Sequence, residues 1–245
     1  MSDTLFRSDR LEKQAKADLI VRVPGAPDDS VVWEHSVRVS RLAGAIARSP
    51  ELAHESIDPA ALAGAAFYQD SGWVLQVRQG QIAARDLLLR PTSDLQRELA
   101  ADWMAQRLNG ILSPGSLQTA IRAVRQCNDR RTDLPEARIL ADAENLDDIG
   151  PQTICLLIRR LIADGRTLID LVAAWERQQE YHYWQARIKE CFHFPSSRSI
   201  ADGRYEAMQQ FMECLRSAVH LADVAISHPL GNKSAPTPAP APVRH

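Results

Sequence analysis

The sequence lacks most of the features that would mark it as a specialised protein. Only four of its 245 residues are cysteine, and Cys127, Cys155, Cys191 and Cys214 form no C-x-x-C pair. A zinc ribbon and a disulfide framework are therefore not expected. No stretch approaches the roughly 20 apolar residues that span a bilayer. The opening, MSDTLFRSDRLEKQ, is polar and has no apolar signal core. A cytoplasmic protein with no membrane partner is the expectation. The net charge is only -2, with acidic and basic residues dispersed along the chain. The concentrated basic footprint of a nucleic-acid binder is missing. There is no Gly-rich phosphate loop, no G-x-S-x-G elbow and no H-E-x-x-H pair, so the chemistries those motifs carry have no support. The period-two alternation of half-buried strands is absent as well.

What remains is apolar periodicity of the helical kind. Hydrophobic residues make up 45% of the chain and charged residues 24%, enough for a sizeable core. Residues 32–48 place Val32, Val39, Leu42 and Ile46 on one face. Asp58-Pro59 supplies an N-cap and a first-turn proline for a helix over 59–70. Ser93 or Asp94 caps a helix carrying Leu95, Leu99, Met104 and Leu108. Ser113-Pro114 opens a helix running to about 128, and Pro135 starts one that ends at Gly150-Pro151. Longer helices are expected over 152–163, 167–190 and 197–221. The reading is an all-α bundle of roughly eight to ten helices. It forms one domain over 1–226, with a Pro/Ala-rich tail over 227–245 that cannot bury enough surface to order itself.

Several of these helices turn polar side chains toward their apolar faces. His35 lies four residues before Val39, and Gln69-Asp70 extend the face of Leu62 and Ala66. Cys127 follows Val124 by three, and Asp142 follows Ile139 by three. A buried carboxylate without a partner costs several kcal/mol. Inward aspartates therefore need a metal, a histidinium or a hydrogen-bond network. One economical arrangement is a single cluster of His35, Asp70 and Asp142 with Gln69 and Cys127 nearby. Satisfied core residues and local caps are the plainer alternative.

Three blocks carry a resemblance. EHSVRV at 34–39, AAFYQDSGW at 65–73 and ILADAENLDDIG at 139–150 resemble the signature blocks of the HD-domain superfamily. Residues 181–215 resemble the C-terminal part of a bacterial subgroup of HD hydrolases. The resemblance implies an all-α fold with its signature region over 32–150 and C-terminal helices over 152–226. It also implies a metal-dependent phosphohydrolase acting on a small phosphorylated molecule. His35, Asp70 and Asp142 would be the ligands of a divalent ion (Mn, Fe, Ni, Co, Mg or Zn), and Asp70 would be the catalytic residue. Asp147 would brace the turn at Gly150.

The departures from that pattern matter as much as the matches. The family's His-Asp pair reads Gln69-Asp70 here, and Cys127 stands where a further histidine is expected. An amide oxygen is a poor substitute for imidazole toward a first-row ion, so metal binding is expected to be weakened or lost. Three functions follow. The first is a degenerate HD-like protein acting through ligand or partner binding. The second is a phosphohydrolase with a modified site, and the third is a helical interaction protein.

Overall fold

The computed structural model describes residues 2–221, with side chains from Asp9 onward. The expected domain end near Ile226 and the 227–245 tail lie outside the described residues. The described chain is all-α. Eleven helices follow one another: α1 (Ser2–Leu19), α2 (Val31–Ile46), α3 (Pro59–Tyr68), α4 (Ser71–Arg78), α5 (Asp94–Arg107), α6 (Pro114–Gln126), α7 (Pro135–Asp147), α8 (Pro151–Ala163), α9 (Leu168–Glu180), α10 (Tyr183–Cys191) and α11 (Pro195–Val219). Among the described residues, β pairing is confined to two isolated bridges, Val21 with Asp29 and Asn109 with Leu112. No helix there is long and apolar enough to cross a membrane.

Local chemistry sets most of the helix starts. The Asp58 carboxylate accepts from the amides of Ala60 and Ala61 at 2.9 and 3.0 Å, ahead of Pro59. Ser93 and Gln96 form a reciprocal capping box on α5. Proline occupies the first turn of α3, α6, α7, α8 and α11, where its missing N–H has no cost.

The central layer consists of α2, α3, α6 and α7, packed against one another. α3 makes this possible because its residues are small. Ala61, Gly64, Ala65 and Ala66 are buried, and a Cβ on Gly64 would lie 2.9 Å from the Leu112 side chain. α1 packs on α3 and α2. It is pinned by Asp18, which accepts from the Tyr68 hydroxyl at 2.6 Å and from Arg107 at 2.9 Å. α9, α10 and α11 pack together, with α11 also against α7 and α8.

Three elements differ from the sequence expectation. α1 was not expected, because its buried stripe is a single line of Leu11, Ala15 and Leu19 in a polar segment. The helix expected over 59–70 ends at Tyr68, and Asp70 becomes the N-cap residue of a separate helix, α4. The helix expected over 167–190 breaks at His182, which adopts left-handed backbone with φ +51°.

The α3–α4 junction leaves no room for a larger residue at Gly72. A Cβ there would sit 2.1 Å from the Gln96 carbonyl oxygen of α5. Gly72→Ala is expected to lower unfolding stability by about 1–3 kcal/mol, the usual cost of overpacking. Urea unfolding of the variant against the wild type measures this.

Candidate functional site

The α3–α4 junction ends against α2 and α7, and polar groups from each of these elements meet there. His35 on α2 is the centre. Its Nε2 lies 2.9 Å from an Asp70 carboxylate oxygen, and its Nδ1 lies 2.7 Å from one of Asp147. Arg38, one turn further along α2, donates from Nε and from its terminal nitrogen to the same Asp147 at 2.8 and 3.0 Å. The Thr92 hydroxyl donates to the other oxygen of Asp70 and accepts from Trp73 Nε1 at 3.0 Å. The result is one unbroken chain of hydrogen bonds from Trp73 through Thr92, Asp70, His35 and Asp147 to Arg38.

A second pair sits beside the first. Arg97 of α5 donates two parallel bonds to the Glu144 carboxylate of α7, at 3.0 and 2.7 Å. Such a fork is the strongest geometry available to a guanidinium and a carboxylate. Arg97 is only 6% exposed, and its Nε–H has no acceptor among the described residues. His35, Asp70, Arg97 and Glu144 all line one cavity of about 340 Å³. Its rim includes Arg90, an exposed residue with no ion pair among the described residues, and Asn128.

The electrostatics follow from these contacts. Burial alone would lower the pKa of His35. Its hydrogen bonds to Asp147 and Asp70, together with their charges, override that and raise it from 6.5 to about 10. Burial would raise the pKa of Asp70, but His35 and Arg97 together hold it below the ordinary carboxylate value. Burial likewise opposes ionisation of Asp147, and His35 and Arg38 bring its pKa down. Glu144 is pushed up because burial outweighs its pairing with Arg97. The Cys127 thiol, buried on the same cavity, is pushed well up by desolvation and by Glu144. It is a poor thiolate donor. Three carboxylates, Asp70, Glu144 and Asp147, thus face three cations, His35, Arg97 and Arg38.

Of the residues expected to cluster, His35 and Asp70 come together. Gln69 joins them, with its side-chain amide 3.2 Å from His35 Nε2; toward a protonated ring nitrogen the amide turns its oxygen, which otherwise has no hydrogen-bond partner. Asp142 does not line this cavity. Its two carboxylate oxygens accept the backbone N–H groups of His193 and Phe194 at 2.8 and 3.1 Å. It therefore anchors the α10–α11 junction, and burial lifts its pKa to about 6 despite those bonds. The α7 acid on the cavity is Glu144, two residues further on. Asp147 does more than brace a turn. Its carboxylate holds His35 and Arg38, while its backbone carbonyl accepts from Thr153 at 2.9 Å. Arg97 and Glu144 were missed because each looks like an ordinary surface charge on an amphipathic helix. Their only sequence signal is a position in line with buried neighbours, Ala100 and Ala101 for Arg97 and Leu140 and Ala141 for Glu144.

The donor set does not fit a divalent-metal centre of the kind the resemblance implies. It offers one imidazole with a carboxylate at each nitrogen, an amide in place of a second imidazole, and a carboxylate already held by a guanidinium. No group of three or more His, Cys, Asp or Glu side chains is placed to hold a metal ion among the described residues.

Two expectations follow. Removing the Asp142 carboxylate leaves two buried N–H groups unpaired, so Asp142→Ala should cost about 1–3 kcal/mol. Urea unfolding of Asp142→Ala against the wild type measures this. The second concerns pH. His35 holds its proton more tightly folded than unfolded. Its stabilisation is complete below about pH 6.5 and is lost as the pH rises through about 10. Asp70 and Asp147, lowered from 3.8, contribute above that value and lose their contribution as the pH falls below it. The difference in unfolding free energy between wild type and His35→Asn should therefore shrink between pH 7 and pH 10, as chemical denaturation at each pH would show.

No family model matches the sequence, and no curated protein matches it. Solved structures do. Bacillus subtilis YpgQ in complex with ADP superposes with a TM-score of 0.58 at 20% identity, over 90% of this chain and 98% of that one. YpgQ in a second crystal structure gives 0.56 at 19% identity, over 88% and 96%. A predicted HD superfamily hydrolase from an uncultured Thermotogales bacterium gives 0.52 at 16% identity, over 86% and 92%. At these identities the likeness speaks for the backbone, and nearly the whole length of each neighbour is covered. The chain has the fold of a predicted HD superfamily hydrolase.

Proposed function

We propose that this protein uses an HD-like scaffold to bind a small phosphorylated molecule in the cavity beside His35 and Arg97, with weak or absent phosphohydrolase activity. The observation that carries the reading is Arg97. A buried guanidinium lines the cavity and is fixed in place by Glu144. A group of that kind receives an anionic oxygen readily, since its orientation is set before the ligand arrives. Arg90 and Asn128 at the rim add a second cation and an amide donor. The cavity volume falls in the range of small-molecule sites, roughly 300–1,000 Å³. ADP in the crystal structure of YpgQ supports a nucleoside diphosphate as the first ligand to try.

The test is isothermal titration of ADP and of inorganic phosphate into the wild-type chain with EDTA present. Binding is expected, and Arg90→Ala should weaken it by about 10-fold, the loss of one charge-assisted contact. Nucleotides and generic phosphate esters should turn over slowly or not at all with Mn²⁺, Mg²⁺, Ni²⁺ or Co²⁺ added. Efficient metal-dependent turnover would establish the working-hydrolase alternative. No anion binding under any condition would leave the interaction protein as the better account.

A further inference from the structure

We propose that Arg97 is the resident cation of this site: its guanidinium neutralises the carboxylates that a divalent ion would otherwise neutralise, and its presence excludes such an ion. The proposal shares the cavity with the function above but does not depend on which anion binds there.

The argument is one of charge and of donors. His35, Arg38 and Arg97 already balance Asp70, Glu144 and Asp147, each through a direct contact. A divalent ion entering among His35, Asp70 and Glu144 would add two charges to a set of groups already paired with one another. Deprotonation of His35 removes only one of them. The other requires that Arg97 leave, and leaving breaks both bonds to Glu144. The two cations also compete for the same lone pairs, since both oxygens of Glu144 are committed to the guanidinium. Arg97 acts on Asp70 as well, helping to hold its carboxyl ionised without a metal. Cys127 does not restore a ligand, because its thiol lies buried against Glu144 and donates to the Val124 carbonyl at 3.2 Å.

Gln69 is then the lesser barrier. Reinstating a histidine there adds one ligand but leaves the guanidinium in place. Removing the guanidinium frees Glu144 and leaves a partly buried carboxylate without its cation.

The experiment compares wild type, Gln69→His, Arg97→Ala and the double variant by calorimetric titration with Mn²⁺ and Ni²⁺ and by thermal unfolding with and without the ions. Wild type and Gln69→His are expected to show neither stoichiometric binding nor a metal-dependent rise in melting temperature. Arg97→Ala should be less stable in EDTA, regain stability with metal, and bind the ion at least about 100-fold more tightly than wild type. The double variant should bind more tightly still. Stoichiometric metal in the wild type, or in Gln69→His alone, would overturn the proposal. So would an Arg97→Ala protein that folds and gains no affinity. Should Arg97→Ala fail to fold in EDTA, folding rescued by Mn²⁺ or Ni²⁺ supports the proposal, and failure to rescue overturns it. Because the readout is metal uptake, a protein that binds no phosphate still decides the matter.

Discussion

The structure depends on balancing three acidic side chains at the meeting point of α2, α3, α5 and α7. Asp70 and Asp147 are buried on either side of one imidazole, and Glu144 lines the adjoining cavity; a buried carboxylate ionised alone would cost a large share of the domain's stability. The chain resolves this from its own residues. His35 bridges two of the carboxylates with its two ring nitrogens, Arg38 clamps Asp147 from the far side, and Arg97 holds Glu144 in a fork. The same contacts tie four helices that are distant in sequence, so the charge balance is also a tertiary brace. Pairs of this kind give less net stability than their Coulomb attraction implies. What they fix firmly is arrangement, since each partner is costly to remove singly.

That brace has a consequence for chemistry. A site whose charges are already satisfied has little use for a further cation, but it has a prearranged guanidinium and an open rim. The fold is shared with solved structures at 16–20% identity, a range in which backbone is retained while side-chain chemistry drifts. Fold alone does not fix function, since one fold carries many sites.

Much of the fold was legible in the sequence because helix signals are local. Asp58-Pro59, Ser93 and Ser113-Pro114 mark starts with side-chain oxygens and prolines, and those starts are where the helices begin. The end of the 59–70 helix was legible to within two residues, but the separate helix α4 that follows it and the break at His182 were not, since only tertiary packing decides how the chain turns there. The site was half legible for a related reason. His35 and Asp70 stand out as polar residues on apolar faces. On α7, Asp142, Glu144 and Asp147 are all acidic within six residues, and spacing alone could not say which faces the cavity. Rotation of the helix settles it: Asp142 points to the α10–α11 junction, Glu144 to the cavity and Asp147 to His35. Arg97 was invisible because an arginine four residues past a serine N-cap reads as solvent-exposed. LAGAAFYQDSGW, with its glutamine where a histidine would complete a pair, draws attention to Gln69, whereas the Arg97–Glu144 fork on the same cavity leaves no such mark in the sequence.

The protonation state of His35 tests the internal charge balance most directly. Nitrogen-15 NMR of the imidazole in the wild-type chain at pH 7.5, in EDTA, reports whether each ring nitrogen carries a proton. The balance described here predicts an imidazolium with both nitrogens protonated. A neutral imidazole at that pH, with Nε2 unprotonated, would contradict it and return the site to the possibility of a metal ligand.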